Sequence, residues 1–84
     1  MTIRYFAGAR HAAGTEEEQW PIAEALALAQ LVIQLGDAQQ AQRPELASVL
    51  ARCSFLVNET AVTDKNQLVV DGDTVDALPP FAGG

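Results

Sequence analysis

The chain has 84 residues, 49% of them hydrophobic, with 11 acidic against 5 basic side chains and a net charge of −6. This composition suits one small core rather than a disordered segment, and its acidity argues against nucleic acid and for a protein partner with a basic face. A single cysteine, Cys53, excludes an internal disulfide and any multi-cysteine zinc site. No basic start leads into a long apolar run, and no apolar run is long enough to span a bilayer, so the expected location is the cytoplasm, away from membranes.

Taken in chain order, Thr2-Ile-Arg-Tyr-Phe6 alternates, with Ile3 and Tyr5 on one face and Thr2, Arg4 and Phe6 on the other. β-Branched and aromatic types in that pattern predict a strand. Residues 7–14 hold two glycines and no apolar period and are expected to form a loop. Residues 15–21 predict a weaker edge strand closed by Pro21, with Glu16, Glu17 and Glu18 as its solvated, charged start. From Ile22 the period becomes helical, predicting a helix over residues 23–35 with Gly36 as its stop. The apolar arc of Leu26, Leu28, Leu31, Val32, Ile33 and Leu35 is wide enough to need a sheet on one side and a second cover on its flank. Leu46, Val49, Leu50 and Cys53 recur at helical spacing after Pro44 and Glu45, which suit a first helical turn. That second, shorter helix is the candidate cover, and it places Cys53 on the buried stripe as a structural thiol.

Ser54-Phe-Leu-Val57 predicts a central strand, Asn58-Glu59 a turn, and Ala61-Val62 a brief return. Residues 64–67 are loop and residues 68–70 a short extended segment. Asp71-Gly72-Asp73 is a turn into a last strand where Val75, Ala77 and Leu78 supply apolar contacts. Pro79 and Pro80 end that strand and stiffen its exit, since proline cannot donate to a sheet ladder. Beyond them only Phe81 and Ala82 carry side chains before Gly83-Gly84. Glycines have no Cβ to obstruct a narrow channel, so a partner's catalytic groups could reach the Gly84 carboxylate. The order of elements predicts an α+β fold, a small mixed sheet crossed by one main helix with a short second helix.

Side-chain chemistry is sparse. His11, the only histidine, is expected in a surface loop with no nucleophile beside it in sequence. Gly8 and Gly14 do not complete a phosphate-binding fingerprint, and Asp71 with Asp73 lacks the rest of a calcium loop. A presented terminus without side-chain machinery points to a carrier rather than a self-sufficient enzyme.

Four segments carry a resemblance: Tyr5-Phe-Ala-Gly-Ala-Arg10 with Gly14, Val57-Asn-Glu-Thr60, Asp71-Gly-Asp-Thr-Val75, and Leu78-Pro-Pro-Phe-Ala-Gly-Gly84. In that order, and ending on the diglycine, they resemble the ubiquitin-like sulfur carriers, within them the small subunits of molybdopterin synthase. The resemblance spans essentially the whole chain. It implies a β-grasp domain over residues 1–80 and a flexible diglycine tail over residues 81–84. It further implies that a separate activating enzyme uses ATP and magnesium to adenylylate Gly84, and that a persulfide donor converts the adenylate to a thiocarboxylate. Gly83 gives the tail access. The acceptor implied is the large subunit of molybdopterin synthase, assembled with the carrier as a heterotetramer, where the sulfur passes to cyclic pyranopterin monophosphate. The carrier itself binds no cofactor. Phe81 departs from the family, which has a small aliphatic residue there, and residues 23–35 are more apolar than the family's exposed helix face.

Two other functions fit the same residues: a carrier feeding thiamine thiazole synthesis or another thiolation pathway, and a non-covalent ubiquitin-like binding module with an inert diglycine. Under the carrier reading the expected docking surface is Phe6, Leu78, Pro80, Phe81 and Ala82, close to the tail. Arg10 either pairs with a partner carboxylate or fastens its own loop.

Overall fold

β1 (Thr2–Tyr5) pairs antiparallel with β2 (Glu17–Gln19) on one side and parallel with β7 (Thr74–Leu78) on the other. β7 continues into an antiparallel pair with β4 (Ser54–Val57), and β4 into one with β5 (Thr60–Ala61). This computed structural model describes residues 1–80. The mixed five-stranded sheet thus runs β2-β1-β7-β4-β5, with β7 at its centre and β4 beside it. Ile3 and Tyr5, Phe55 and Val57, and Val75 and Ala77 alternate onto one buried face. α2 (Leu28–Asp37) supplies Leu28, Leu31 and Leu35 to the same core, and α3 (Leu46–Leu50) supplies Leu46 and Leu50. Each leucine removed fully from water contributes about 2 kcal/mol relative to an exposed one. This is the β-grasp arrangement expected from the sequence, with the main helix and a shorter one across the sheet.

Several local expectations are corrected. Residues 7–14 are not a loop: α1 (Ala7–Ala13) is a short helix whose Ala9 and Ala13 are buried, closed by Gly14 at φ 77°. Its contact positions are alanines, which pack closely but leave little apolar period to read. His11 is exposed on this helix rather than in a loop. Residues 23–27 are not helical either. Leu26–Ala27 forms β3, paired antiparallel with β6 (Leu68–Val69), and the helix begins only at Leu28. Its start is fixed from outside, because the Leu28 and Ala29 N–H groups donate to the Gln67 and Lys65 carbonyls at 2.9 Å each. Those two carbonyls replace a side-chain cap for the free first-turn donors. Gly36 is not a stop but lies within α2, buried against Ala47 of α3. The flank cover expected for the wide apolar arc is α3, and it reaches only part of that arc: Ile33 stays 61% exposed.

Glu18 is not the freely solvated residue expected: its side chain is only 24% exposed. Its Oε2 accepts a hydrogen bond from the Tyr5 hydroxyl at 2.7 Å and from Arg43 Nη1 at 2.8 Å, which ties β2 to the segment before α3. Burial first, then the bond to Glu18, pushes the Tyr5 phenol well above its ordinary range. A group raised on folding adds stability that is fully present below its unfolded value, about pH 10 for tyrosine, and is lost as pH climbs through the folded value. The urea midpoint is therefore expected to decline above about pH 10. Phenolate absorbance, from the only tyrosine in the chain, should appear only with unfolding. A phenol ionising at its ordinary value in the folded protein would refute the tie.

Cys53 is buried, its Sγ–H donating to the Val49 carbonyl at 3.3 Å, and burial raises its pKa. That is the structural role expected, since the thiolate is the reactive form. Among the described residues no helix is long and apolar enough to cross a membrane.

Candidate functional site: the tail end of the sheet

Because β1 and β7 run parallel, their C-terminal ends emerge at the same end of the sheet. Tyr5 lies opposite Ala77, and the Phe6 N–H donates to the Ala77 carbonyl at 3.2 Å. Phe6 then leaves β1 in extended geometry, and Ala7 turns sharply at φ 48° into α1. Alternation sends Phe6 and Leu78 to the face opposite the helices, where Phe6 is 40% exposed and Leu78 half-buried. Pro79 is half-buried and Pro80 exposed, directly after the strand ends at Leu78 as the prolines predict. The structure thus brings Phe6, Leu78 and Pro80 to one end of the sheet. Phe81, Ala82, Gly83 and Gly84 lie outside the described residues.

Arg10 fastens its own segment: Nη1 donates to Glu16 Oε1 at 3.0 Å, both side chains exposed. A shallow groove of about 350 Å³ beside this pair is lined by Arg4, Phe6, Arg10 and Glu17 among others. Among the described residues no group of three or more His, Cys, Asp or Glu side chains could hold a metal ion.

The residue pair that the sequence does not reveal is Arg4 with Asp76. They face each other in the parallel register of β1 and β7. Arg4 forks onto the carboxylate, Nε to Oδ1 at 2.6 Å and Nη2 to Oδ2 at 2.8 Å, and this bond chiefly raises the Arg4 pKa. The Asp76 side chain is 3% exposed and that of Arg4 37%. One signal was present: an aspartate between Val75 and Ala77 of an apolar strand needs a partner. Its identity depended on pairing across the whole chain.

The site's described side chains offer a mixed apolar and ionic patch on the outer face of the sheet, reaching to where β7 hands over to the two prolines. They assemble no nucleophile with a base.

The match to known proteins extends over the whole chain. It is 31% identical over 85 residues to the molybdopterin synthase sulfur carrier subunit of Chlamydomonas reinhardtii, covering 100% of this chain and 98% of the relative. The fold is shared with a putative molybdopterin converting factor, subunit 1, from Pyrococcus furiosus. That structure has a TM-score of 0.76 at 23% identity, over 95% of both chains. It is shared too with a chain in the protein–protein complex of subunits 1 and 2 of the molybdopterin-converting factor from Helicobacter pylori. There the TM-score is 0.64 at 24% identity, covering 99% of this chain and 96% of that one. These likenesses agree with the ubiquitin-like β-grasp architecture described above. Residues 3–84 match the model of the ThiS family, and with a full-length relative above 30% identity the chain belongs to that family.

Proposed function

We propose that the chain is the sulfur-carrier subunit of molybdopterin synthase. The observation that carries the reading is the end-to-end likeness to a sulfur carrier subunit of that enzyme, joined to a sheet whose central strand leads through two prolines towards Gly83-Gly84.

In this reading the Gly84 carboxylate attacks the α-phosphorus of ATP on a separate activating enzyme that holds magnesium, and pyrophosphate leaves. The acyl adenylate exposes its carbonyl carbon to the outer sulfur of a persulfide donor. AMP departs, and cleavage of the sulfur–sulfur bond by a thiol leaves the thiocarboxylate. One difficult substitution is divided into easier ones through an activated covalent intermediate. Gly83 keeps the approach to the carboxylate clear. The thiocarboxylate then enters the large subunit of molybdopterin synthase and gives its sulfur to cyclic pyranopterin monophosphate. Phe6, Leu78, Pro80, Phe81 and Ala82 would form the contacts around the tail. This chain contributes the sulfur and its delivery; orientation and charge stabilisation come from the partners. Residues 1–80 act as the docked body and residues 81–84 as the arm.

The test is the intact mass after incubation with the activating enzyme, ATP, magnesium and a sulfur donor. The expected gain is the replacement of one oxygen by sulfur, mapped to the peptide containing Gly84. An unchanged mass, with the activating enzyme proven on another carrier, overturns the reading. Transfer of the sulfur to a thiazole precursor, with none to the pterin, would move the chain to thiamine synthesis.

A further inference from the structure

The Arg4–Asp76 pair occupies the sheet face opposite the one that buries Ile3, Val75 and Ala77 against the helices. Stability alone is a poor explanation for it. Withdrawing a carboxylate from water costs several kcal/mol, the pairing recovers about that much, and well-packed apolar side chains of similar volume often do as well or better. What the pair does accomplish is geometric. Asp76 grips Nε and Nη2, so the planar guanidinium is held in one orientation on the outer face of the sheet, between the depression at the start of β7 and the Phe6 ring, whose centroid is 5.9 Å away. Arg4 stays partly exposed, and Nη1 donates to no acceptor among the described residues.

The surrounding charges decide what that nitrogen can accept. Glu17 stands opposite Arg4 in the β1–β2 register, and Glu59 lines a shallow depression of about 280 Å³ with Arg4, Asn58 and Thr74. Counting Asp76, three carboxylates stand near Arg4, while Arg10, which lines the adjoining groove, is itself paired with Glu16 and leaves the balance negative. A further carboxylate from a partner would meet net repulsion, and a partner's cation would be drawn to Glu17 or Glu59 but turned away from Arg4 itself. An uncharged acceptor meets neither obstacle.

We infer that Arg4, held in place by Asp76, is a specificity-determining residue for the large subunit that receives this carrier's tail: Nη1 donates to a main-chain carbonyl of that subunit, while Glu17 and Glu59 keep acidic surfaces from the same position. The inference rests on the function proposed above. It also makes Asp76 a positioning residue, acting on the partner only through the guanidinium it orients.

The full chain and two variants, R4L/D76L and R4K, are titrated calorimetrically into the large subunit of molybdopterin synthase from the same organism, and each is melted alone. R4L/D76L replaces the pair by apolar side chains, so its melting temperature is expected to match or exceed that of the wild type. Its affinity is expected to drop tenfold or more, roughly the worth of one hydrogen bond to a charged group. R4K keeps the charge but not the planar fork, and the same loss is expected from it. Where R4L/D76L melts early, R4K decides. Affinities within about twofold of wild type in the folded variants overturn the inference alone, since such a change is well under the 1.4 kcal/mol of a tenfold effect. A wild-type chain that does not bind the large subunit overturns the functional reading and this inference with it, a result distinct from a variant that binds as well as wild type.

Discussion

Removal of Gly84 alone is expected to abolish thiocarboxylate formation and leave the melting temperature of the domain unchanged. The deletion still ends the chain on a glycine, Gly83, and brings only the small Ala82 side chain into the penultimate place, a minor cost in access. What changes is reach. The carboxylate retreats by one residue, at most about 3.6 Å, while an acyl carbon must sit within about 3–3.5 Å of its attacking group to react. Misplacement of about 1 Å already costs on the order of a hundredfold, so the loss should be at least that large in adenylylation, read by intact mass. Stability should hold because, among the described residues, the buried ones that build the core run from Met1 to Ala77. Gly83→Val is the complementary variant: it restores reach and introduces a branched side chain, and it is expected to slow charging through access instead. A truncated chain charged at the wild-type rate would show that Gly84 is not the reacting residue.

Much of this architecture is legible in the residues because the signals involved are local. The alternation of Ile3 and Tyr5 predicts β1 and its buried face, and Leu46, Leu50 and Cys53 at helical spacing predict a buried stripe that runs along α3 and past its end to Cys53. Asn58-Glu59 and Asp71-Gly72-Asp73 predict turns, and the structure makes them with φ of 50° and 70° at Asn58 and Glu59 and 98° at Gly72. Asn58 also braces the next turn, its side chain bonding to the Asp73 carboxylate at 3.0 Å and to the Thr74 N–H at 2.9 Å.

What escapes the sequence depends on distant partners or on weak side-chain contrast. The start of α2 is set by carbonyls of Lys65 and Gln67, so no capping residue marks Leu28. Residues 26 and 27 have helical spacing yet pair as a strand with Leu68 and Val69, tertiary context overriding local period. Glu18 looks like its neighbours Glu16 and Glu17, and only the approach of Tyr5 and Arg43 distinguishes it. At the candidate site Phe6 and Leu78 could be placed near the tail from order alone, whereas Arg4 and Asp76 become partners only through the parallel register. Gly36 illustrates the ambiguity of a glycine near a helix end: the same residue suits a stop or a close contact.

Gly36→Ala is expected to destabilise the domain by about 2 kcal/mol, which for a domain of this size lowers the melting temperature by roughly 10 °C. Two effects oppose each other. Alanine is the better helix former by about 1 kcal/mol. Against it, a Cβ at position 36 would lie 2.8 Å from Ala47 Cβ and 2.9 Å from Ala47 Cα, where carbon atoms prefer roughly 3.5–4.0 Å. The obstacle is backbone and a methyl attached to it, so no side-chain rotation relieves the overlap, and α2 and α3 must move apart. Such overpacking costs about 1–3 kcal/mol and occasionally more; with backbone in the way the upper part of that range applies and overpacking wins. Separation would also disturb Leu35 on α2 and Leu46 and Leu50 on α3, all buried in the shared core. Gly8→Ala supplies the control. It lies in α1 with nothing within 4 Å of an added Cβ, so there the propensity gain stands alone and the variant should be more stable by up to about 1 kcal/mol. Opposite signs at two helical glycines would show that space, not helix preference, selects glycine at position 36. Equal gains would mean that α2 and α3 separate freely at Ala47 and that the close contact does not select glycine at position 36.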